Sequence, residues 1–112
     1  MSCLFCKIVA GEIPADVVHE TERVFAFRDL NPQAPTHVLV IPRAHFSNAA
    51  ALAAADPTYA GEVLAAAADV AAAEGLSSGY RLVTNTGADA GQTVDHLHWH
   101  VLGGRSLSWP PG

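Results

Sequence analysis

The stretch His96-Leu97-His98-Trp99-His100-Val101-Leu102 constrains this chain more than any other part of it. Its histidines alternate with large apolar residues, the period-2 pattern of a strand with one face turned to a core. Histidines at i, i+2 and i+4 leave one face about 6.5 Å apart, for a rise of about 3.3 Å per residue. Leu97, Trp99 and Val101 leave the other face. Half of the six histidines therefore line one short, exposed track. Imidazoles pack poorly and need hydrogen-bond partners when buried, so a row of three has no structural purpose and marks a site.

The rest of the chain reads as a scaffold for that track. At 112 residues it suits a single domain, 1–112, with a modest core, because alanine supplies much of the 50% hydrophobic content. A second copy would help to bury more surface. The formal net charge of −5 argues against a general nucleic-acid binder, although local donors can hold a single phosphate. The start has no charged segment leading into a long apolar stretch. The run from Val63 to Ala73 is interrupted by Asp69 and flanked by Glu62 and Glu74, so the expectation is a soluble, cytoplasmic protein with no membrane partner. Two cysteines, Cys3 and Cys6, are too few for a disulfide framework.

Taken in order, Leu4 to Ala10 reads as a short helix stopped by Gly11. Val17–Glu20 and Val24–Phe27 read as strands joined by a hairpin turn, Asp29–Pro35 as a loop, and Thr36–Ile41 as a strong strand ended by Pro42. Asp56-Pro57 pairs an N-cap residue with proline at the first helical position, opening a long helix from Pro57 to Glu74. Its buried stripe is predicted at Leu64, Ala67, Ala68 and Ala71, with Val63 and Val70 beside it, and Gly75-Leu76 closes it. Tyr80–Asn85 is another strand, Gly87–Gly91 a loop, Val94–Leu102 the histidine strand, and Gly103–Gly112 an irregular tail. The predicted class is α+β, an antiparallel meander of about five strands covered by one long helix.

The residues alone leave three readings open. The track can carry a nucleophilic histidine. It can present His96, His98 and His100 to a catalytic zinc with an open position for water. It can also belong to a binding or regulatory protein that holds a ligand with little catalysis.

His96-Leu97-His98-Trp99-His100-Val101-Leu102 resembles the histidine triad motif, and the resemblance runs along nearly the whole chain. Phe5-x-x-Ile8, Phe27-x-Asp29-Leu30, Pro35-Thr36-His37, Ile41-Pro42-x-x-His45, Asn85, Gly91-Gln92-Thr93-Val94 and the ending Gly103-Gly104-Arg105…Trp109-Pro110-Pro111-Gly112 all fit the nucleotide-binding branch of the histidine triad family. The resemblance implies a homodimer whose two sheets join across the two-fold axis, with the tail at residues 103–112 reaching the partner's site. It implies binding of purine nucleotides and hydrolysis of phosphoramidate and acyl-phosphate linkages at the α-phosphorus, releasing AMP or GMP. By the motif match His98 is the nucleophile, His100 serves the departing group, and His37 positions or shares a proton with His100. Asn85, the backbone amides around Gly91, Gln92 and Thr93, and the Thr93 hydroxyl are the implied phosphate donors. Asp29 corresponds to a ribose-binding carboxylate, and Phe5, Ile8, Phe27 and Leu30 to the walls around the base. Cys3, Cys6, His45 and His96 match a ligand set that holds a structural zinc in several members; no catalytic cofactor is implied. Asp95 departs from the usual uncharged residue beside the triad.

Overall fold

The protein is described by a computed structural model covering residues 3–112. Its elements are α1 (Leu4–Val9), β1 (Val17–Glu20), β2 (Val24–Arg28), β3 (Thr36–Pro42), α2 (Ala49–Ala55), α3 (Pro57–Ala73), β4 (Tyr80–Val83), a short 3-10 turn (Ala88–Ala90) and β5 (Trp99–Gly103). The strands form one antiparallel sheet in the order β1-β2-β3-β5-β4. The α+β class and five antiparallel strands match the expectation, but the second half is not a plain meander. After β3 the chain crosses over through α2 and α3 to the far edge as β4, and β5 returns into the gap between β3 and β4. The half-exposed Tyr80–Val83 suits an edge, whereas β5, with Val101 fully buried, needs a neighbour on both sides.

Both faces of the sheet are covered, which is why β2 and β3 read as continuous apolar runs. Val24 and Ala26 on β2, with Val38 and Val40 on β3, face α2 and α3 and pack with Leu52, Tyr59, Val63, Val70, Leu97 and Val101. The alternate residues Phe25, Phe27, Leu39 and Ile41 face the opposite way and pack with Phe5 and Ile8 of α1. The short N-terminal helix is thus the lid of the second layer.

The long helix begins as predicted, with the Asp56 carboxylate accepting from the Tyr59 N–H and Pro57 in its first turn. Its buried stripe is rotated from the predicted one: Tyr59, Val63, Ala66, Ala67, Val70 and Ala71 are buried, while Leu64 is 44% exposed and Ala68 faces out. The valines take the sheet side, and each residue step turns the helix by about 100°, which carries Leu64 away from it. Sequence reading gave no helix at Ala49–Ala55. That alanine run has one large buried residue, Leu52, and so no periodic signal, although Asn48 caps it by accepting from the Ala51 N–H.

Tyr59 ties this helix to the rest of the fold. Its hydroxyl donates to the Arg23 carbonyl at 2.6 Å and accepts the Ala44 N–H at 3.3 Å. Tyr59→Phe strands the Ala44 N–H and leaves the Arg23 carbonyl with the Arg43 N–H alone, and a loss of about 1–3 kcal/mol is expected. Urea unfolding should show a lower midpoint at unchanged slope.

Candidate active site and metal site

The histidine segment joins the ladder only from Trp99 onward; residues 94–98 run beside the sheet without strand pairing. The ladder with β3 stops at Val40 opposite Trp99, and Pro42 further along β3 has no N–H to give. The two-sided alternation survives: Leu97 and Val101 join the helix-side core, and Phe5 of the other layer packs edge-on to His96 and His98. The predicted exposed track is therefore corrected. His96 is fully buried, His98 is 7% exposed and His100 is half-buried, because α1 covers the face that the alternation assigned to solvent.

Each buried imidazole has a partner that fixes its tautomer. The His98 ring uses Nδ1–H to donate to the His96 carbonyl at 2.8 Å, which leaves the Nε2 lone pair free. The Gln33 backbone N–H donates to His37 Nδ1 at 3.0 Å, so the His37 proton sits on Nε2. That Nε2–H donates to His100 Nδ1 at 2.8 Å, with the Asp29 carboxylate 3.4 Å away as a second acceptor. The remaining His100 proton is on Nε2. Burial pushes the His37 pKa down, opposed by Asp29. For His100 burial, with the charges of His98 and His37, pushes it down from 6.5 to about 4, below the near-neutral value expected of a proton carrier.

His98, His100 and Asp29 border a cavity of about 270 Å³, while His37 lies behind His100 and does not line it. Phe5, Ile8, Phe27 and Leu39 form its apolar walls, with Asp29, Thr93, His98 and His100 at its polar end. Leu30 is 97% exposed and sits at its mouth. A larger open groove of about 550 Å³ runs between Ser78–Arg81 and Gly104–Leu107, but no histidine, carboxylate or thiol lines it, so the smaller cavity is the candidate site. Three of the predicted phosphate contacts do not line it: Asn85, Gly91 and Gln92. The Gly91 N–H donates to the Ala88 carbonyl and the Gln92 N–H to Gly87, so these amides are spent inside their own loop. The Gln92 side chain bonds to Gly87, Ser47 and Val94 and pins that loop. Thr93 lines the cavity. Sequence reading missed Leu4, Ile13, Pro14, Ala15, Arg28, Leu39 and Val94 as lining residues; Leu39 was findable, since it lies two residues from His37 on the same face of β3 and opposite His100.

On the other side of His98 lies a second cluster. Cys3, Cys6, His45 and His96 bring their ligand atoms within 4.8 Å of one another. Cys3 Sγ is 3.3 Å from His96 Nδ1, Cys6 Sγ is 3.4 Å from His45 Nδ1, and Cys6 Sγ is 3.5 Å from His96 Nδ1. A zinc tetrahedron built on bonds of about 2.0–2.3 Å has edges of about 3.3–3.8 Å, so two thiols and two imidazoles fit that ion. His96 Nε2–H donates to the Pro42 carbonyl at 2.9 Å, which aims the lone pair of Nδ1 at the sulfurs. Burial and the Cys3 thiol push the Cys6 pKa up to about 11, so a bound cation must displace protons. His96 is thereby committed to the thiols, and His98 to the His96 carbonyl. The three triad rings do not converge on one point, and the three-histidine catalytic metal is set aside.

The HIT domain family model matches residues 10–107. A solved HIT family hydrolase from Legionella pneumophila superposes with a TM-score of 0.95 at 51% identity, covering 99% of this chain and 100% of that one. A histidine triad nucleotide-binding protein from Candida albicans superposes at 0.84 with 32% identity, over 97% of this chain and 83% of that one. The 14 kDa zinc-binding protein of Zea mays is 49% identical over 112 residues, 97% of this chain and 87% of the relative. No helix among the described residues is long and apolar enough to cross a membrane.

Metal-free protein is expected to take up one zinc per chain with release of protons, and Cys6→Ser to weaken uptake more than tenfold; equilibrium dialysis with metal analysis reads both. Acid should act separately through the relay. Because the folded His100 pKa is lowered, the stability it adds is complete above the unfolded value near 6.5 and is lost as pH falls toward about 4. In metal-free protein the melting temperature should drop between pH 7 and 4.5, and drop less in His100→Asn.

Proposed function

The chain belongs to the HIT domain family, and on that premise we propose that it hydrolyses purine nucleoside phosphoramidates and acyl nucleotidylates at the α-phosphorus, through a nucleotidyl-His98 intermediate, releasing AMP or GMP. The observation that carries this reading is the His98 tautomer: Nδ1–H is held by the His96 carbonyl, so Nε2 is an unprotonated nucleophile at the polar end of the cavity.

The base lies between Phe5, Ile8, Phe27 and Leu30, walls that discriminate weakly between adenine and guanine. The Asp29 carboxylate accepts from the ribose hydroxyls, and the Thr93 hydroxyl donates to the phosphate. Gly91 and Gln92 shape the loop that carries Thr93. His98 Nε2 attacks phosphorus, and the bond from phosphorus to the departing nitrogen breaks. An amine leaves readily only as the neutral molecule; it takes a proton at His100 Nε2. The phosphate anion raises the lowered pKa of His100 so that it takes a second proton, at Nδ1, and the His37 Nε2–H turns from that nitrogen to the Asp29 carboxylate 3.4 Å away. Water then attacks phosphorus, the bond to His98 breaks, and one proton of that water restores His100. Net, one water is consumed and the nucleotide and amine are released.

Cys3, Cys6, His45 and His96 hold a structural zinc in this reading, away from the reacting atoms. The unpaired outer edge of β4 supports a homodimer with a sheet continued across the two-fold axis, the tail with the exposed Trp109 directed to the partner's site.

The test is release of AMP from adenosine 5′-phosphoramidate. Hydrolysis should persist in EDTA, fall by roughly 10³-fold or more in His98→Ala, and yield AMP-modified His98 in rapidly quenched wild type. Activity lost to EDTA in protein that stays folded, or AMP binding with no turnover, overturns the proposal.

A further inference from the structure

The tautomer of the His37–His100 pair hangs on one backbone amide. The Gln33 N–H donates to His37 Nδ1, and only while it does so is the His37 proton confined to Nε2. Gln33 lies in the loop between β2 and β3, which has no ladder of its own. Two braces are internal: the Asn31 N–H donates to the Asp29 carboxylate at 2.8 Å, and Gln33 Nε2 donates to the Asn31 carbonyl at 3.0 Å. The third comes from the turn after β5, the strand paired with β3. Arg105 Nε and Nη2 both donate to the Gln33 carbonyl, at 3.3 and 3.0 Å, and Nη1 donates to the Ser106 carbonyl at 2.9 Å. Among the described residues no carboxylate pairs with Arg105, so its fork is committed to the backbone.

The approach is built into the turn after β5. Gly104 has φ +88°, and a Cβ there would lie 2.9 Å from Pro35 Cβ. The turn therefore lies directly against the loop. Arg105 follows His100 by five residues, so the clamp sits in the turn that ends the strand carrying the acid.

We propose that Arg105 is a positioning residue for hydrolysis: its guanidinium holds the Gln33 peptide so that His37, and through it His100, keeps the tautomer that presents Nε2–H to the cavity. Without the clamp the loop slackens and the His37 proton is free to move to Nδ1. His37 Nε2 then accepts from His100 Nδ1–H, and the resting, neutral His100 meets the substrate with a lone pair at Nε2 instead of the N–H that the departing nitrogen needs. The kinetic half rests on the hydrolytic reading above; the tautomer half rests on the hydrogen bonds alone.

The experiment uses wild type, Arg105→Ala and Arg105→Lys, each labelled with ¹⁵N-histidine. Two substrates are compared: adenosine 5′-phosphoramidate, whose amine must be protonated to leave, and the p-nitrophenyl ester of AMP, whose phenolate leaves without a proton. Arg105→Ala should lose tenfold or more in kcat on the phosphoramidate, with KM and the ester rate within twofold of wild type. Arg105→Lys, with a single donor in place of the fork, should recover part of the loss. Nitrogen shifts should show His37 as the Nε2–H form in wild type and a mixture in Arg105→Ala. Equal losses on both substrates, or an unchanged His37 tautomer in Arg105→Ala, overturn the proposal. If wild type turns over neither substrate the hydrolytic reading fails, and the nitrogen shifts still decide the clamp: a mixture supports it and no change refutes it.

Discussion

The site depends on the burial of His96 and on how its three polar groups are spent. A fully buried imidazole is tolerated only when its ring nitrogens are satisfied, and here Nε2 bonds to the end of β3 while Nδ1 faces two thiols of the N-terminal segment. The carbonyl of the same residue accepts the Nδ1–H of His98. One residue thus joins the start of the chain, the central strand and the candidate nucleophile. A shift of His96 would loosen the Cys3–Cys6 segment and release the His98 tautomer together, so the thiol cluster and the cavity are mechanically one unit although they share no ligand.

Burial also decides what the other histidines are able to do. Desolvation disfavours the imidazolium form, and the neutral state it enforces makes the hydrogen-bond chain from Gln33 through His37 to His100 directional. An exposed track of histidines would be half protonated near neutral pH and would exchange tautomers freely. The low pKa of His100 is compatible with chemistry because the substrate brings its own charge: an anionic phosphate beside the ring offsets the desolvation that a neutral ligand would deepen.

How much of this is legible in the sequence follows from which forces are local. Alternation at His96 to Leu102 reports the two faces correctly even where the backbone makes no ladder, since extended chain has the same period. That the histidine face is covered depends on Phe5, some ninety residues away in sequence, and nothing local in the triad carries that fact. The caps of α3 are local and were readable; its buried stripe depends on which residues meet the sheet, and alanine-rich helices hold little information about that. The loop at Gly87–Thr93 misled for a related reason. Glycines there suggested free amides for a phosphate, but the left-handed turn at Gly91 folds those amides back on the loop itself, and Gln92, which looked like a contact, is its brace.

The two-faced sheet explains why so small a chain can hold several strained requirements at once. Val38, Val40, Leu97 and Val101 belong to an apolar layer under α2 and α3 in which the buried Tyr59 hydroxyl is satisfied by backbone groups, and this layer can carry the fold. The opposite layer, closed by a helix of six residues, contains the buried histidines, whose desolvation opposes folding unless every nitrogen is paired. His98 and His37 each take one partner nearby, the His96 carbonyl and the Gln33 N–H, but the pair of His37 with His100 joins β3 to β5, and His96 takes its partners from β3 and the N-terminal thiols. The polar layer is consequently well formed only when the whole sheet is assembled. That couples the ordering of the site to the cooperativity of the fold, and it places the weakest links at the two ends of the chain, where a pair of thiols and a single guanidinium reach back to hold it.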